Sequence, residues 1–184
     1  MNYMYNTPSL VRRTCSRTLL LCALLVSFVS VSLFAEKVSD QRQTLITYGL
    51  KFMGTPYVLG ATGPDSFDCS GFVFTVTHDS VGFQMPRTAQ AMFAYDKVEH
   101  ISPTVREPGD LVFFKSDDGT INHVGIYVGK RKFLHAASDG PHTGVIISTL
   151  DEKYWKSHYA GSVRFLPTTA EAKKATETDT AVEK

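Results

Sequence analysis

The chain is poor in cysteine, with three in 184 residues, at positions 15, 22 and 69. Two of these fall within the first 35 residues, so the remainder holds one thiol and no internal disulfide framework can be drawn. Neither sign of charge is in excess: 19 Lys and Arg stand against 18 Asp and Glu, for a net charge of +1. That near-neutral, interspersed pattern gives no basic footprint for nucleic acid. No HExxH or CxxC pair is present, which removes the usual close-spaced signature of a zinc site. Internal repeats are absent, and a single long apolar run occurs, near the beginning.

That run is "LLLCALLVSFVSVSLFA", from Leu19 to Ala35, and the residues before it carry Arg12, Arg13 and Arg17 and no acid. A basic region, an apolar core and Ala35 ahead of the charged Glu36 read as a secretory signal with a small-residue cleavage site, Leu33 being its one imperfect position. The run also lies at the short end of what crosses a bilayer, so retention as a single membrane anchor is the alternative. Either way the rest of the chain is expected outside the cytoplasm, in the periplasm or cell envelope. The expected organisation is a signal or anchor at 1–35, one domain at 36–167 and a polar tail at 168–184. In that tail "TTAEAKKATETDTAVEK" has no large apolar side chain beyond Val182 and is expected to be disordered. The roughly 150 residues after the leader suffice for one domain with a core and are too few for two.

Within the domain the periodicity changes type. Helical spacing of Leu45, Gly49, Phe52 and Met53 predicts a helix over 39–53, stopped by Gly54 and Pro56. The loop "GTPYVLGATGPDSFD" follows, then a second helix from Cys69 to about His78 and a short helical piece at Thr88. After Pro108 the strands "DLVFFK", "HVGIYVG", "KFLHAA" and "GVIIST" alternate with Asp-Gly and Gly-Lys turns. "DEKYWKSHYAG" reads as a turn of helix and "SVRFL" as a closing strand. Helices first and a strand meander second make an α+β layer fold.

The lone thiol outside the leader is an intermolecular bridge, a buried inert group or a nucleophile, and its neighbours must decide. Cys69 stands at a helix start, where unbonded amides and the positive end of the macrodipole favour a thiolate. His123 opens one strand and His135 lies on the next. They face each other if the hairpin loop holds three or five residues centred on Gly129, with both imidazoles toward the helix terminus. A thiol, a base and a group that orients the base is the pattern of nucleophilic catalysis.

Six stretches in order, "GTPYVLG", "FDCSGFV", "MPRTAQ", "EPGDLVFF", "NHVGIYVG" and "KFLHAA", resemble the NlpC-type cell-wall peptidases. The resemblance runs from about Thr47 to Leu166. It implies a papain-like α+β fold, with N-terminal helices packed on an antiparallel sheet and the nucleophile at a helix N-terminus. Residue by residue, it implies Cys69 as nucleophile, His123 as base and later acid, and His135 as the group orienting the imidazole. Tyr57 would assist the backbone amide of Cys69 in stabilising the oxyanion, and Asp68, Ser70 and Thr88 would line the substrate pocket, Asp68 pairing with an ammonium group. The implied reaction is hydrolysis of the bond between γ-linked D-glutamate and a diamino acid, meso-diaminopimelate or lysine, in peptidoglycan stem peptides or muropeptides. No metal or organic cofactor is implied, and membrane contact only if the leader is retained. Targeting falls to the domain surface, the tail or an activating protein partner. The chain departs from the family pattern at Leu59, where many relatives have Trp, and at Ala61, where they have a second Gly.

Plainer readings stand beside these. A cysteine between phenylalanines is often a small buried hydrophobe, and His123 and His135 could be satisfied core histidines. Tyr57 could pack under its loop and Asp68 could cap the helix. His78, His100, His142 and His158 read as surface residues. Three alternatives in function are a zinc site built from Cys69, His123 and His135, a silent wall-binding scaffold, and a related thiol amidase or transpeptidase.

Overall fold

The computed structural model describes residues 41–168, apart from 139 and 141. The leader at 1–35 and all but the first residue of the tail at 168–184 lie outside the described residues. Among those described, no helix is long and apolar enough to cross a membrane. Residues Val38–Pro167 form one unit. Its helices are α1 (41–50), α2 (Cys69–Val81), α3 (Ala89–Phe93) and α4 (Lys153–His158). Its strands are β1 (Glu99–Ile101), β2 (Leu111–Lys115), β3 (Ile121–Gly129), β4 (Lys132–Ala137), β5 (Gly144–Thr149) and β6 (Tyr159–Arg164).

The strands make one antiparallel sheet in the order β1-β6-β2-β3-β4-β5. β2 to β5 form the expected meander. β6 then returns to the far side of β2, covering an edge that would otherwise offer unpaired backbone groups. β1 is not legible in the sequence, because its three residues have the burial pattern exposed, exposed, intermediate and so no apolar alternation.

Period-two alternation gives the sheet two different faces. Leu111 and Phe113 of β2, Val124 and Ile126 of β3, and Leu134 and Ala136 of β4 join Leu45, Phe72, Val73 and Val76 of the helices in the larger core. Val112, Phe114 and Phe133 point the other way and pack with Leu150, Trp155 and Tyr159. Trp155 brings α4 onto this second face, its ring 4.7 Å from that of Phe114.

A buried ionic strap ties the beginning of the unit to its end. Asp110, 1 % exposed, accepts from Arg42 Nη1 of α1 at 3.0 Å and from Arg164 Nε and Nη2 of β6 at 3.0 and 2.7 Å. Arg42 also donates to the carbonyls of Pro108 and Leu166.

The β3–β4 hairpin departs from expectation. Its pairs Ile126↔Leu134 and Gly129↔Lys132 leave a two-residue turn, Lys130–Arg131, with a register shift between Tyr127 and Gly129. Both turn residues have positive φ, 50° and 60°, the backbone a twist-matched two-residue hairpin requires. The register therefore sets His135 opposite Gly125 rather than opposite His123.

Candidate active site

Helix α2 begins on the thiol because Asp68 caps it: Asp68 Oδ1 accepts the Gly71 N–H at 2.6 Å. The same carboxylate accepts from the Gly60 N–H, from Ser70 Oγ and twice from Arg87, at 3.0 and 2.7 Å. Burial works to raise the Asp68 pKa, but the bonds from Arg87, Gly71 and Gly60 outweigh it and hold the group below its ordinary value. With five donors already accepted, this carboxylate locks the loop to the helix and offers little to a ligand's ammonium group. A Cβ at Gly71 would overlap the carbonyl oxygen of Ala61, so the motif's glycine lets that loop lie against α2.

The sulfur of Cys69 lodges against the strand carrying the first histidine. Its S–H donates to the Asn122 carbonyl at 3.6 Å, so the thiol rests on the backbone directly beside His123. Burial, then the neighbouring Asp68 carboxylate, raise the thiol pKa, and the backbone amides of Val124, Ser70 and Cys69 offset this only in part. The activation expected from the helix terminus is thus reversed: the resting group is a neutral thiol.

His123 and His135 meet diagonally, with His123 Nε2 and His135 Nδ1 at 2.8 Å. Both rings lie on the second face of the sheet, beside Trp155 at 4.9 and 5.0 Å. Alternation along β3 and β4 keeps the two rings together on that face, and the Cys69 sulfur meets β3 at the backbone beside His123. His135 is fully buried and its Nε2 contacts Ser148 Oγ at 3.1 Å. Burial pushes the His123 pKa down to about 4, and burial followed by the nearby His123 lowers that of His135. Both imidazoles are neutral at neutral pH.

A cavity of about 660 Å³ opens over the thiol, lined by Tyr57, Asp68, Cys69, Ser70, Arg87 and Thr88 among others. It thus gathers the expected Tyr57, Asp68, Ser70 and Thr88 around Cys69. Ser70 is nearly buried and bonded to Asp68 and Arg87. Thr88 is exposed and caps α3, accepting the Ala91 N–H at 3.2 Å. Leu59, 83 % exposed, stands at the rim. Sequence reasoning missed Arg87, Ser148 and Trp155. The signals were thin: Arg87 sits inside the quoted "MPRTAQ", and Trp155 is the only tryptophan.

Zinc fits this geometry poorly, since a nitrogen of each imidazole is spent on the other ring. Among the described residues no three His, Cys, Asp or Glu side chains converge to hold a metal ion.

The family model of the NlpC/P60 family matches residues 54–164. The chain is 37% identical over 138 residues to the murein DD-endopeptidase MepH of Escherichia coli, covering 72% of this chain and 49% of that protein. It is 40% identical over 117 residues to the γ-DL-glutamyl hydrolase of Bacillus subtilis, covering 62% and 27%. The chain thus spans half or less of the length of these relatives. A crystal structure of an NlpC/P60 family protein from Bacillus cereus aligns with TM-score 0.62 and 32% identity, over 68% of this chain and 40% of that one.

Proposed function

Because the chain belongs to the NlpC/P60 family, we propose that it is a cysteine endopeptidase of peptidoglycan that cleaves the bond between γ-D-glutamate and a diamino acid in stem peptides. The observation that carries this reading is the hydrogen bond of the Cys69 sulfur to the Asn122 carbonyl, next to His123, whose ring is held at Nε2 by His135. The γ-DL-glutamyl hydrolase relative supports the choice of bond. By the basic and apolar pattern of its leader, the protein acts outside the cytoplasm.

Substrate lies in the cavity over Cys69. As Sγ bonds to the carbonyl carbon, the thiol proton passes to His123 Nδ1, the ring nitrogen not engaged by His135. Neutral thiol and neutral imidazole make this transfer part of the attack rather than a step before it. The oxyanion is met by the Cys69 backbone N–H at the start of α2, with the Tyr57 hydroxyl as second donor. The imidazolium protonates the departing amine, leaving a thioester. His123 then deprotonates a water that hydrolyses it, regenerating the thiol.

A second reading, cleavage of a D,D bond in the cross-link, is favoured by the name of the E. coli relative. The test is incubation of the domain with cross-linked and uncross-linked muropeptides of defined diamino acid, with products identified by mass spectrometry. Cleavage after D-glutamate supports the first reading and cleavage of the cross-link alone the second. Cys69→Ala is expected to fold normally and lose on the order of 10³-fold or more in rate; undiminished hydrolysis by that variant removes the cysteine mechanism.

A further inference from the structure

His123, His135 and Ser148 lie on one straight diagonal across three neighbouring strands. The pair Phe133↔Ser148 sets Ser148 two residues along β4 from His135, and the register of Ile126↔Leu134, extended by three residues, brings His123 level with Ala137, two residues to the other side. Even steps of two keep all three side chains on one face. The contacts follow the line, 2.8 Å between the histidines and 3.1 Å from His135 Nε2 to Ser148 Oγ. A Cβ at Gly125, opposite His135, would come within 2.7 Å of Phe133 Cδ2 and 3.0 Å of His135 Cβ, so glycine there leaves the middle ring its place.

We propose that Ser148 is a positioning residue, whose oxygen accepts the His135 Nε2 proton and thereby fixes His123 in the tautomer that can take the Cys69 proton. The inference rests on the cysteine-peptidase reading above, and proton direction along the line decides it. His123 Nδ1 must hold a lone pair to receive the thiol proton, so the neutral ring carries its proton on Nε2 and donates to His135 Nδ1. When His123 becomes an imidazolium during attack, Nε2 can only donate. His135 Nδ1 can then only accept, neutral His135 must carry its proton on Nε2, and the group beyond must be an acceptor. The opposite arrangement, with the proton on His135 Nδ1, forces one onto His123 Nδ1 and disables the base. Ser148 is 9 % exposed, so solvent competes little for its place. Its side chain, with that of His135, also lines a second, largely apolar cavity of about 820 Å³.

The test begins with the unmodified protein. Nitrogen NMR of ¹⁵N-histidine-labelled domain at pH 7 should show both rings neutral and protonated on Nε2. A His135 proton on Nδ1 overturns the proposal, and this arm decides it even if no muropeptide is cleaved and the peptidase reading itself fails. In an active domain, Ser148→Ala should lower kcat on the order of 10- to 100-fold with little change in KM and shift the histidine tautomers, and Ser148→Thr, which keeps the hydroxyl, should restore both. Unchanged tautomers and kcat in Ser148→Ala overturn it. Should the alanine variant fail to fold, the labelled unmodified protein and Ser148→Thr still decide.

Discussion

At Cys69, burial and the adjacent Asp68 carboxylate raise the thiol pKa, while burial brings His123 to about 4. The two groups that exchange a proton therefore begin uncharged, and two pH effects follow. The acid limb of kcat/KM is expected near pH 4, where His123 gains a proton, rather than near the ordinary value of about 6.5. Alkylation of Cys69 by iodoacetamide should be slow at pH 7 and keep climbing with pH beyond the point where an ordinary thiol levels off; rapid reaction at pH 7 would restore an ion-paired thiolate. Stability has the matching sign. His123's folded pKa lies below its unfolded one, so its contribution is complete above about 6.5 and is lost as pH falls toward 4, on the order of 3 kcal/mol at most. Asp68, whose pKa is depressed, adds a loss at still lower pH as its own proton returns. Arg87 is the partner that this buried carboxylate depends on. Arg87→Ala should cost about 2–3 kcal/mol in urea unfolding, below the figure for a fully enclosed pair because the Arg87 side chain is 35% exposed.

At the scale of elements, the hairpin between β3 and β4 sets the register that brings the histidines together. Lys130 and Arg131 adopt the left-handed backbone that the turn requires although neither is glycine or asparagine, a conformation that costs a residue with Cβ about 1–2 kcal/mol. Lys130→Asn should therefore stabilise the domain by about 1 kcal/mol, read as a higher urea midpoint at unchanged slope. This turn also marks a limit of legibility. Alternation in "HVGIYVG" and "KFLHAA" shows that His123 and His135 share a face, because parity survives any even change of register. It does not show which residues stand opposite, because a lysine and an arginine carry no turn signal. The thiol at a helix start was legible because Asp68 and Gly71 flank it as cap and small residue. Ser148 was not: one polar residue in "GVIIST" has meaning only once the neighbouring strand is placed. The reversed thiol pKa was hidden for a like reason, since the helix end is visible in sequence while the burial around it arises from segments far along the chain.

Across the whole unit, the Arg42–Asp110–Arg164 strap joins α1, the start of β2 and the end of β6. Asp110→Ala would leave two nearly buried guanidinium groups without their shared carboxylate and should cost about 3–5 kcal/mol. Calorimetry on this variant and on Arg87→Ala would compare a strap that holds the architecture with a clamp that shapes the cavity. The first variant should lose melting temperature while keeping its KM at low temperature; a raised KM there would mean that the strap also shapes the site. The strap has another consequence. Arg42 Nη2 lies 3.0 Å from the Leu166 carbonyl, so residues near the two ends of the unit are already neighbours. A short glycine-rich connection from Pro167 to the start of α1 would close the chain into a ring. Opened instead within the exposed turn at Asp117–Gly119, the same residues would form a circular permutant whose new ends lie between β2 and β3, and the fold should accept that order.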